Sequence, residues 1–239
     1  MNHHGPDMNP NRDRTPAPRQ KPYELLIFDW DGTLMDSGAH IMISMQHAIQ
    51  YLGLPARTPE QIRGIIGSGL ASAVRQLYPE LERAALEALV YEYRQESLVR
   101  TPDRSALFPG VREALGWLQE RGFQLAIATN KSRRGLDKAL KDSGLEMLFP
   151  VSRTADEVFA KPHPQMLQEI LTDHDLTATD ALMIGDTAFD LLVAANAGVD
   201  AVAVSHGMHD SSHLMTHNPL ACFENMGELT DWLQRQMHE

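Results

Sequence analysis

The sequence is poor in cysteine and has no long apolar run. Its single cysteine, Cys222, cannot form a disulfide within the chain, and we expect a small core residue in a protein of the reducing cytoplasm. No apolar stretch is long enough to cross a bilayer, which argues against a membrane-spanning helix or a membrane partner. The first residues lack the apolar segment of a signal peptide, in agreement with a cytoplasmic protein.

Positive charge is also scarce. The chain has 21 lysines and arginines against 32 aspartates and glutamates, which gives a formal net charge of −11. Proteins that bind the DNA or RNA backbone normally present a basic face. We therefore expect a small molecule as the partner and no nucleic acid, with the chain acting as a monomer or a homodimer.

What the chain does have is an alternation of strand-like and helix-like segments. Residues 1–21, rich in Pro, Asn and Arg, predict a flexible tail. After a first strand at Glu24–Trp30, the run from Ala39 to about Leu107 has a helical pattern throughout, and Thr58 and Gln61 have capping-box form. This block predicts an inserted all-helical domain at 38–106 within a core domain formed by 22–37 and 107–239.

The second half of the chain has the rhythm of a parallel sheet. Predicted strands alternate with helices, which indicates an α/β fold with a Rossmann-like parallel sheet and helices on both faces. The predicted strands are Phe123–Thr129, Phe149–Ser152, Ala181–Gly185 and Val199–Ser205, and the predicted helices are Ser132–Ser143, Pro164–Thr172 and Ala188–Ala197.

Polar residues follow several of these strands. In open parallel sheets, ligands bind outside the carboxyl ends of the strands, so the residues there should converge. Four carboxylates at one site repel one another by roughly 4 kcal/mol per pair at 4 Å with an effective dielectric of 20, and need a cation. A site made only of oxygen ligands suits Mg²⁺. The alternative is that each aspartate merely caps a helix, which fits Asp190 least well because it lies inside a predicted helix; the converging residues are Asp29, Asp31, Thr129, Asn130, Lys161, Asp186 and Asp190.

Four segments carry a resemblance to a known family. The segments "DWDGT", "ATN", "KP" and "GDTAFD" stand in the order and at the spacing typical of the haloacid dehalogenase-like hydrolase superfamily. Within it, "LFPGV", "KPHP" and "GDTxxD" are most similar to phosphoglycolate-phosphatase-like enzymes. The resemblance runs from about residue 22 to the end, and implies a Mg²⁺-dependent phosphatase that hydrolyses a small phosphomonoester through an aspartyl-phosphate intermediate.

The resemblance also implies a role for each matching residue. Asp29 would be the nucleophile, since a carboxylate is already ionised at pH 7 and needs no base. Asp31 would protonate the leaving alkoxide and then activate water. One strand end can supply both Asp29 and Asp31, because alternate strand residues share a face. Asp186 would bind Mg²⁺ together with Asp29 and the backbone carbonyl of Asp31. Thr129 would donate a hydrogen bond to a phosphoryl oxygen, and Lys161 would neutralise charge on the phosphoryl group and on Asp29. Asn130 and Asp190 would contact these residues and not the substrate, with Asp190 available to hold Lys161.

Other functions within the superfamily remain open from the sequence. A dehalogenase would lack the acid at Asp31, which makes carbon–halogen cleavage a poor fit. A phosphosugar mutase would keep both aspartates, and a non-enzymatic binding module would usually have lost one of the acidic residues or the lysine. Among phosphatase substrates, phosphoglycolate, sugar phosphates, nucleoside monophosphates and pyrophosphate are not distinguished.

By resemblance, the inserted helical domain is a cap that selects the leaving group. Its glycine-dense segment "GIIGSG", residues 64–69, has no following Lys–Ser/Thr and is not a Walker loop. We expect Gly67 and Ser68 to contact substrate, with Arg75 or Arg63 available for an anionic group such as a carboxylate.

A histidine cluster lies outside the family pattern. His206, His209, His213 and His217 are spaced by three and four residues, which is compatible with a zinc site on a helix. The alternatives are surface histidines or a place for His206 at the rim of the active site.

Overall fold

The computed structural model describes residues 22–100 and 103–237. The predicted flexible tail, 1–21, lies outside these residues. Within them the strands are β1 (Leu25–Phe28), β2 (Met35–Asp36), β3 (Ala106–Leu107), β4 (Gln124–Thr129), β5 (Val151–Thr154), β6 (Ala181–Gly185), β7 (Asp200–Val204) and β8 (Cys222–Phe223). The helices are α1 (Gly38–Tyr51), α2 (Pro59–Arg63), α3 (Leu70–Leu77), α4 (Arg83–Gln95), α5 (Val111–Glu120), α6 (Arg133–Ser143), α7 (Gln165–Asp173), α8 (Ala188–Ala197), α9 (Ser211–Met215) and α10 (Met226–Gln236).

Six strands form one parallel sheet in the order β5-β4-β1-β6-β7-β8. Strand β1 is central, and all four of its side chains are buried because the helices cover both faces. One apolar cluster on each face joins the sheet to those helices. The predicted α/β class and the parallel sheet are confirmed, with strand bounds that differ from the predictions by a few residues at most.

Helix boundaries in the sheet region follow the local sequence signals. The side chain of Ser132 accepts a hydrogen bond from Gly135 N at the start of α6, and α6 and α8 each end at a glycine in the left-handed conformation, Gly144 and Gly198. Cys222 is partly buried against one apolar cluster and has no disulfide partner.

The helical insertion is also confirmed. Helices α1 to α4 share an apolar core of their own, and Thr58 and Gln61 form the predicted capping box at the start of α2. No helix in the described ranges is both long and apolar enough to cross a membrane.

The predicted helical run is wrong at its end. Ala106–Leu107 is not helical but forms β3, which pairs antiparallel with β2, so the chain leaves and re-enters the sheet region through two adjacent strands. Two-residue strands are too short to produce a periodic pattern, so they could not be predicted from the sequence.

Candidate active site

Three neighbouring strands bring polar side chains to one edge of the sheet. Asp29 follows β1, Thr129 ends β4 and Asp186 follows β6, and β1 pairs with both of the other strands. All three side chains are buried. The carboxyl ends of adjacent parallel strands therefore supply the floor of a site where the topology of an open sheet places ligands.

Lys161 lies between two of the aspartates. Its Nζ is 2.9 Å from Asp29 Oδ1 and 2.6 Å from Asp190 Oδ1, and the lysine side chain is almost fully buried. A buried ammonium is tolerable only with such partners. Burial alone would lower the pKa of Lys161, but Asp190 and Asp29 raise it, so the lysine is charged at neutral pH.

Asp190 does two things at once. Its Oδ2 accepts hydrogen bonds from the backbone N and the hydroxyl of Thr187, at 2.9 and 2.7 Å, which makes a capping box at the start of α8. The sequence-based view that Asp190 fits helix capping least well is wrong, because α8 begins at Ala188 and Asp190 belongs to its first turn. Its other oxygen holds Lys161.

Asp186 sits in a cradle of backbone and hydroxyl groups. Thr33 Oγ1 donates to its Oδ1 at 2.7 Å, and Met208 N donates to its Oδ2 at 2.8 Å. A Cβ on Gly32 or Gly207 would lie 2.1 or 2.2 Å from that Oδ2. Gly32 also has a φ of +91°, so glycine is required there on two grounds.

The buried carboxylates form a potential cation site. Carboxylate oxygens of Asp29, Asp186 and Asp190 all lie within 4.8 Å of one another. In residues 22–100 and 103–237 no other set of three or more His, Cys, Asp or Glu side chains lies this close together. Burial raises the pKa of Asp29 to about 6, although Lys161 opposes the shift. Burial, with Asp190 and Asp29 nearby, raises the pKa of Asp186 well above its usual range. The three carboxylates have one lysine ammonium beside them and therefore keep an excess of negative charge. A donor set of this kind, made only of oxygens, fits Mg²⁺.

The side chain of Asp31 lies outside that group and has its own partners. Lys131 Nζ is 3.0 Å from both Oδ1 and Oδ2 of Asp31, and Ser37 Oγ donates to Oδ1 at 2.6 Å. Burial alone would lower the pKa of Lys131, but the neighbouring Asp31 raises it, so the lysine is charged at neutral pH. Sequence reasoning gave Lys131 no role; the signal for it was its place directly after the polar end of β4.

Asn130 joins three parts of the site. Its Nδ2 donates to Gly67 O at 2.8 Å, and its Oδ1 accepts from Lys161 N at 2.9 Å. The side chain of Thr129 accepts from Lys131 N at 3.2 Å. The amide of Asn130 thus connects the glycine-dense loop of the insertion to the loop that carries Lys161.

The glycines of that loop let the insertion approach the sheet region closely. Gly67 has a φ of +97°, and a Cβ there would lie 2.8 Å from Thr187 Cγ2. A Cβ on Gly69 would lie 2.9 Å from Ala160 Cβ. A side chain at either position would push the loop away from the core, so Gly67 and Gly69 are what allow the close approach.

A cavity of about 430 Å³ separates the floor from the insertion. Gly67 and Ser68 line it, and the Ser68 hydroxyl donates to Ile65 O at 2.8 Å. The carboxylates of Asp29 and Asp31 lie at its base, and its upper wall is apolar, formed by Ile41, Met45, Ile62, Ile65, Ile66, Leu70 and Leu98.

The structure does not bring Arg75 to this cavity. Arg75 is exposed on α3 and donates to Leu81 O at 3.1 Å, and Arg63 faces two other depressions. Among the described residues, the cationic side chains that line the cavity are Arg94 and Lys131. The direction in which an arginine of the insertion faces depends on how that insertion sits on the sheet, which local sequence does not specify.

The four histidines do not gather around one point. The rings of His209, His213 and His217 contact edge to face, with centroids 4.7 and 5.4 Å apart along the chain of rings. His206 lies apart from them, 3.0 Å from Thr33 O through its Nε2 and tilted against Phe108. His206 thus contacts the segment that follows Asp31.

Comparison with known proteins agrees with this architecture. The family model for haloacid dehalogenase-like hydrolases matches residues 26–204. A phosphoglycolate phosphatase from Vibrio parahaemolyticus is 30% identical over 89% of this chain and 96% of its own length. A protein named "Probable phosphatase IndB" from Dickeya dadantii is 33% identical over 86% of this chain and 91% of its own. A crystal structure of a hydrolase from Pseudomonas syringae superposes with a TM-score of 0.80 at 24% identity, covering 90% of this chain and 99% of that one, which shows a shared fold.

Proposed function

Because the chain belongs to the haloacid dehalogenase-like hydrolases, we propose that it is a Mg²⁺-dependent phosphatase that hydrolyses a small phosphomonoester through an aspartyl phosphate. The observation that carries the proposal is the Lys161 ammonium held between Asp29 and Asp190, with Asp29 itself at the base of the cavity. A buried carboxylate with a cationic neighbour and an open side is suited to attack phosphorus.

In the proposed reaction Asp29 is the nucleophile. A bond forms between its carboxylate oxygen and phosphorus while the bond from phosphorus to the ester oxygen breaks. Asp31, in its protonated form, gives its proton to the leaving oxygen and becomes a carboxylate. This carboxylate then takes a proton from the water that attacks phosphorus and breaks the bond from phosphorus to Asp29. Lys161 and Thr129 compensate and position the phosphoryl oxygens.

The carboxylates of Asp29 and Asp186, with the backbone carbonyl of Asp31, are proposed to hold Mg²⁺. The ion would supply the positive charge that allows a phosphate dianion to approach so many carboxylates. Asp190 then acts through Lys161, whose ammonium it holds.

The proposed substrate class is a phosphoglycolate-like ester, because the Vibrio relative is named a phosphoglycolate phosphatase and matches nearly the whole of both chains. Residues 38–106 are proposed to act as the cap over a core of 22–37 and 107–239. We further propose that the protein is cytoplasmic, acts on a phosphorylated metabolite and is a monomer or a homodimer.

The test is phosphate release from p-nitrophenyl phosphate and phosphoglycolate with Mg²⁺ and with excess chelator. We expect activity only with Mg²⁺, and an Asp186→Ala enzyme that behaves like the chelated one. Full activity in chelator, or transfer of the phosphoryl group to a sugar phosphate without net release to water, would contradict the proposal; the second result would indicate a mutase.

A further inference from the structure

Lys131 occupies the boundary between the floor of the cavity and its apolar wall. Its Nζ contacts both oxygens of Asp31 at 3.0 Å, and its side chain remains partly exposed on the cavity side. An ammonium has three donors, and this one has a flexible four-carbon stem. It can therefore turn to a second anion without leaving the site.

In this structure the Asp31 carboxylate contacts protein side chains and is not turned toward an ester. Both carboxylate oxygens are engaged by Lys131, and one also by Ser37. Release of one of these contacts would free the Asp31 carboxylate to turn toward the leaving oxygen. A negatively charged group arriving beside Asp31 competes directly for Lys131, and both side chains are largely buried, where charge interactions are stronger than in water.

We propose that Lys131 is a specificity-determining residue that binds an anionic group, a carboxylate by chemical class, carried on the leaving part of the substrate. The exchange of Lys131 from Asp31 to that carboxylate turns Asp31 toward the ester oxygen. Because Lys131 Nζ lies 3.0 Å from the carboxylate proposed to protonate the ester oxygen, a substrate carboxylate close to that oxygen, as in phosphoglycolate, is within its reach. This inference rests on the proposed phosphatase function and names its selecting residue.

The test uses three phosphate esters of one length. Phosphoglycolate carries a carboxylate, its amide is nearly isosteric and neutral, and 2-aminoethyl phosphate carries an ammonium. We expect wild-type kcat/KM to fall in that order. In Lys131→Met, kcat/KM for phosphoglycolate should fall about 10- to 100-fold more than for the amide. The aminoethyl ester should improve relative to both, since Asp31 is left without its cation.

Two control variants separate the readings. Lys141→Met removes an exposed lysine of α6 and should leave all three ratios unchanged. Arg94→Met removes the other cation that lines the cavity, and it should cost phosphoglycolate less than Lys131→Met does. A preferential loss of phosphoglycolate only in Arg94→Met would overturn the assignment.

A binding measurement keeps the test independent of turnover. In the Asp29→Asn background, calorimetry with phosphoglycolate and with its amide should show the affinity ratio collapsing when Lys131→Met is added. Equal losses for both ligands would mean that Lys131 only positions Asp31, and would refute the proposal. Failure of the phosphatase function itself would appear separately, as no Mg²⁺-dependent release from p-nitrophenyl phosphate by the wild type.

Discussion

The floor and the upper wall of the cavity are built on opposite principles. On the floor, Asp29, Asp186 and Asp190 are buried, and each has a hydrogen-bond donor at 2.6 to 2.9 Å. The wall is mostly aliphatic and belongs to the helical insertion. Charged groups at close range tolerate almost no displacement, whereas apolar contacts vary with little penalty.

Under the proposed function, the floor and the wall would have different tasks. The floor would restrict the chemistry to what its carboxylates and lysine can do. The wall, with the cationic residues at its edge, would determine which leaving group fits. Substitutions on the floor should therefore change the rate with every substrate, and substitutions on the wall should change the ranking of substrates.

The largest effect is expected from Lys161→Met. It leaves Asp29 and Asp190 buried beside each other without their cation, which should destabilise the protein by about 3–5 kcal/mol and lower kcat by about 10³-fold or more. Urea unfolding and steady-state kinetics measure the two effects. Lys138→Met, which breaks an exposed pair with Asp142, should change neither. Wild-type stability in Lys161→Met would show that the buried charges are not coupled as described.

Asp29→Asn and Asp31→Asn should fail in different ways. Asp29→Asn removes the nucleophile and should stop every substrate without a phosphorylated enzyme. Asp31→Asn keeps the nucleophile, and an aryl phosphate leaves without a proton, so one burst of phenolate per site should precede slow turnover. Rapid mixing and mass spectrometry of quenched protein provide the measurement. Phosphate on a residue other than Asp29, or steady wild-type turnover, would contradict the assignment.

Acid should affect activity and metal-free stability in opposite directions. Burial raises the folded pKa of Asp29 to about 6, above the roughly 3.9 of an unfolded chain. The folded protein thus binds this proton more tightly, so ionised Asp29 costs stability above pH 6, and the cost is relieved as the pH falls toward 4. Activity with Mg²⁺ should fall only at a pH below this pKa, because a cation bound to Asp29 favours the ionised form of its carboxyl group.

The stability part is measured by unfolding without metal. Asp29→Asn should be more stable than the wild type at pH 7.5 by about 1–2 kcal/mol, and the gap should narrow by pH 5 and close near pH 4. Adding Mg²⁺ should stabilise the wild type more than the variant. A gap that widens on acidification would mean that the sign of the shift is wrong.

An intermediate effect is expected where the insertion contacts the core. Gly67→Ala places a Cβ 2.8 Å from Thr187 Cγ2 and should lower kcat/KM about tenfold by displacing the loop. Gly53→Ala is the matched control, since Gly53 also has a positive φ, +64°, but open space around it. Both should lose about 1 kcal/mol of stability from backbone strain. Equal activity in the two variants would mean that loop approach is unimportant.

The smallest effect is expected on the wall. Leu70→Ala enlarges the cavity and should raise KM about two- to fivefold for an ester with an apolar leaving group, leaving kcat nearly unchanged. Leu52→Ala, equally a partly buried leucine of the insertion but away from the cavity, should leave KM unchanged. A fall in kcat in Leu70→Ala alone would show that the wall takes part in the chemistry.

Sequence reasoning anticipated the sheet and the position of the floor for a physical reason. A buried parallel strand is apolar along its length, and its carboxyl end lies beside those of its neighbours, so Asp29, Thr129 and Asp186 had to meet. The Lys131–Asp31 pair and the outward direction of Arg75 could not be predicted in the same way. The first depends on the direction of two side chains, and the second on how the insertion packs on the sheet. Neither produces a periodic pattern in the sequence.

The paired strands β2 and β3 carry both covalent connections between the sheet region and the insertion. Ser37 stands directly after β2 and before α1, and its hydroxyl donates to Asp31 at 2.6 Å. Any rotation of the insertion about this ribbon moves α1, and with it the hydroxyl that holds the carboxylate. Under the proposed mechanism, opening of the cleft would therefore also move the hydroxyl group that contacts Asp31, so that product release and the return of Asp31 to its starting contacts would occur together.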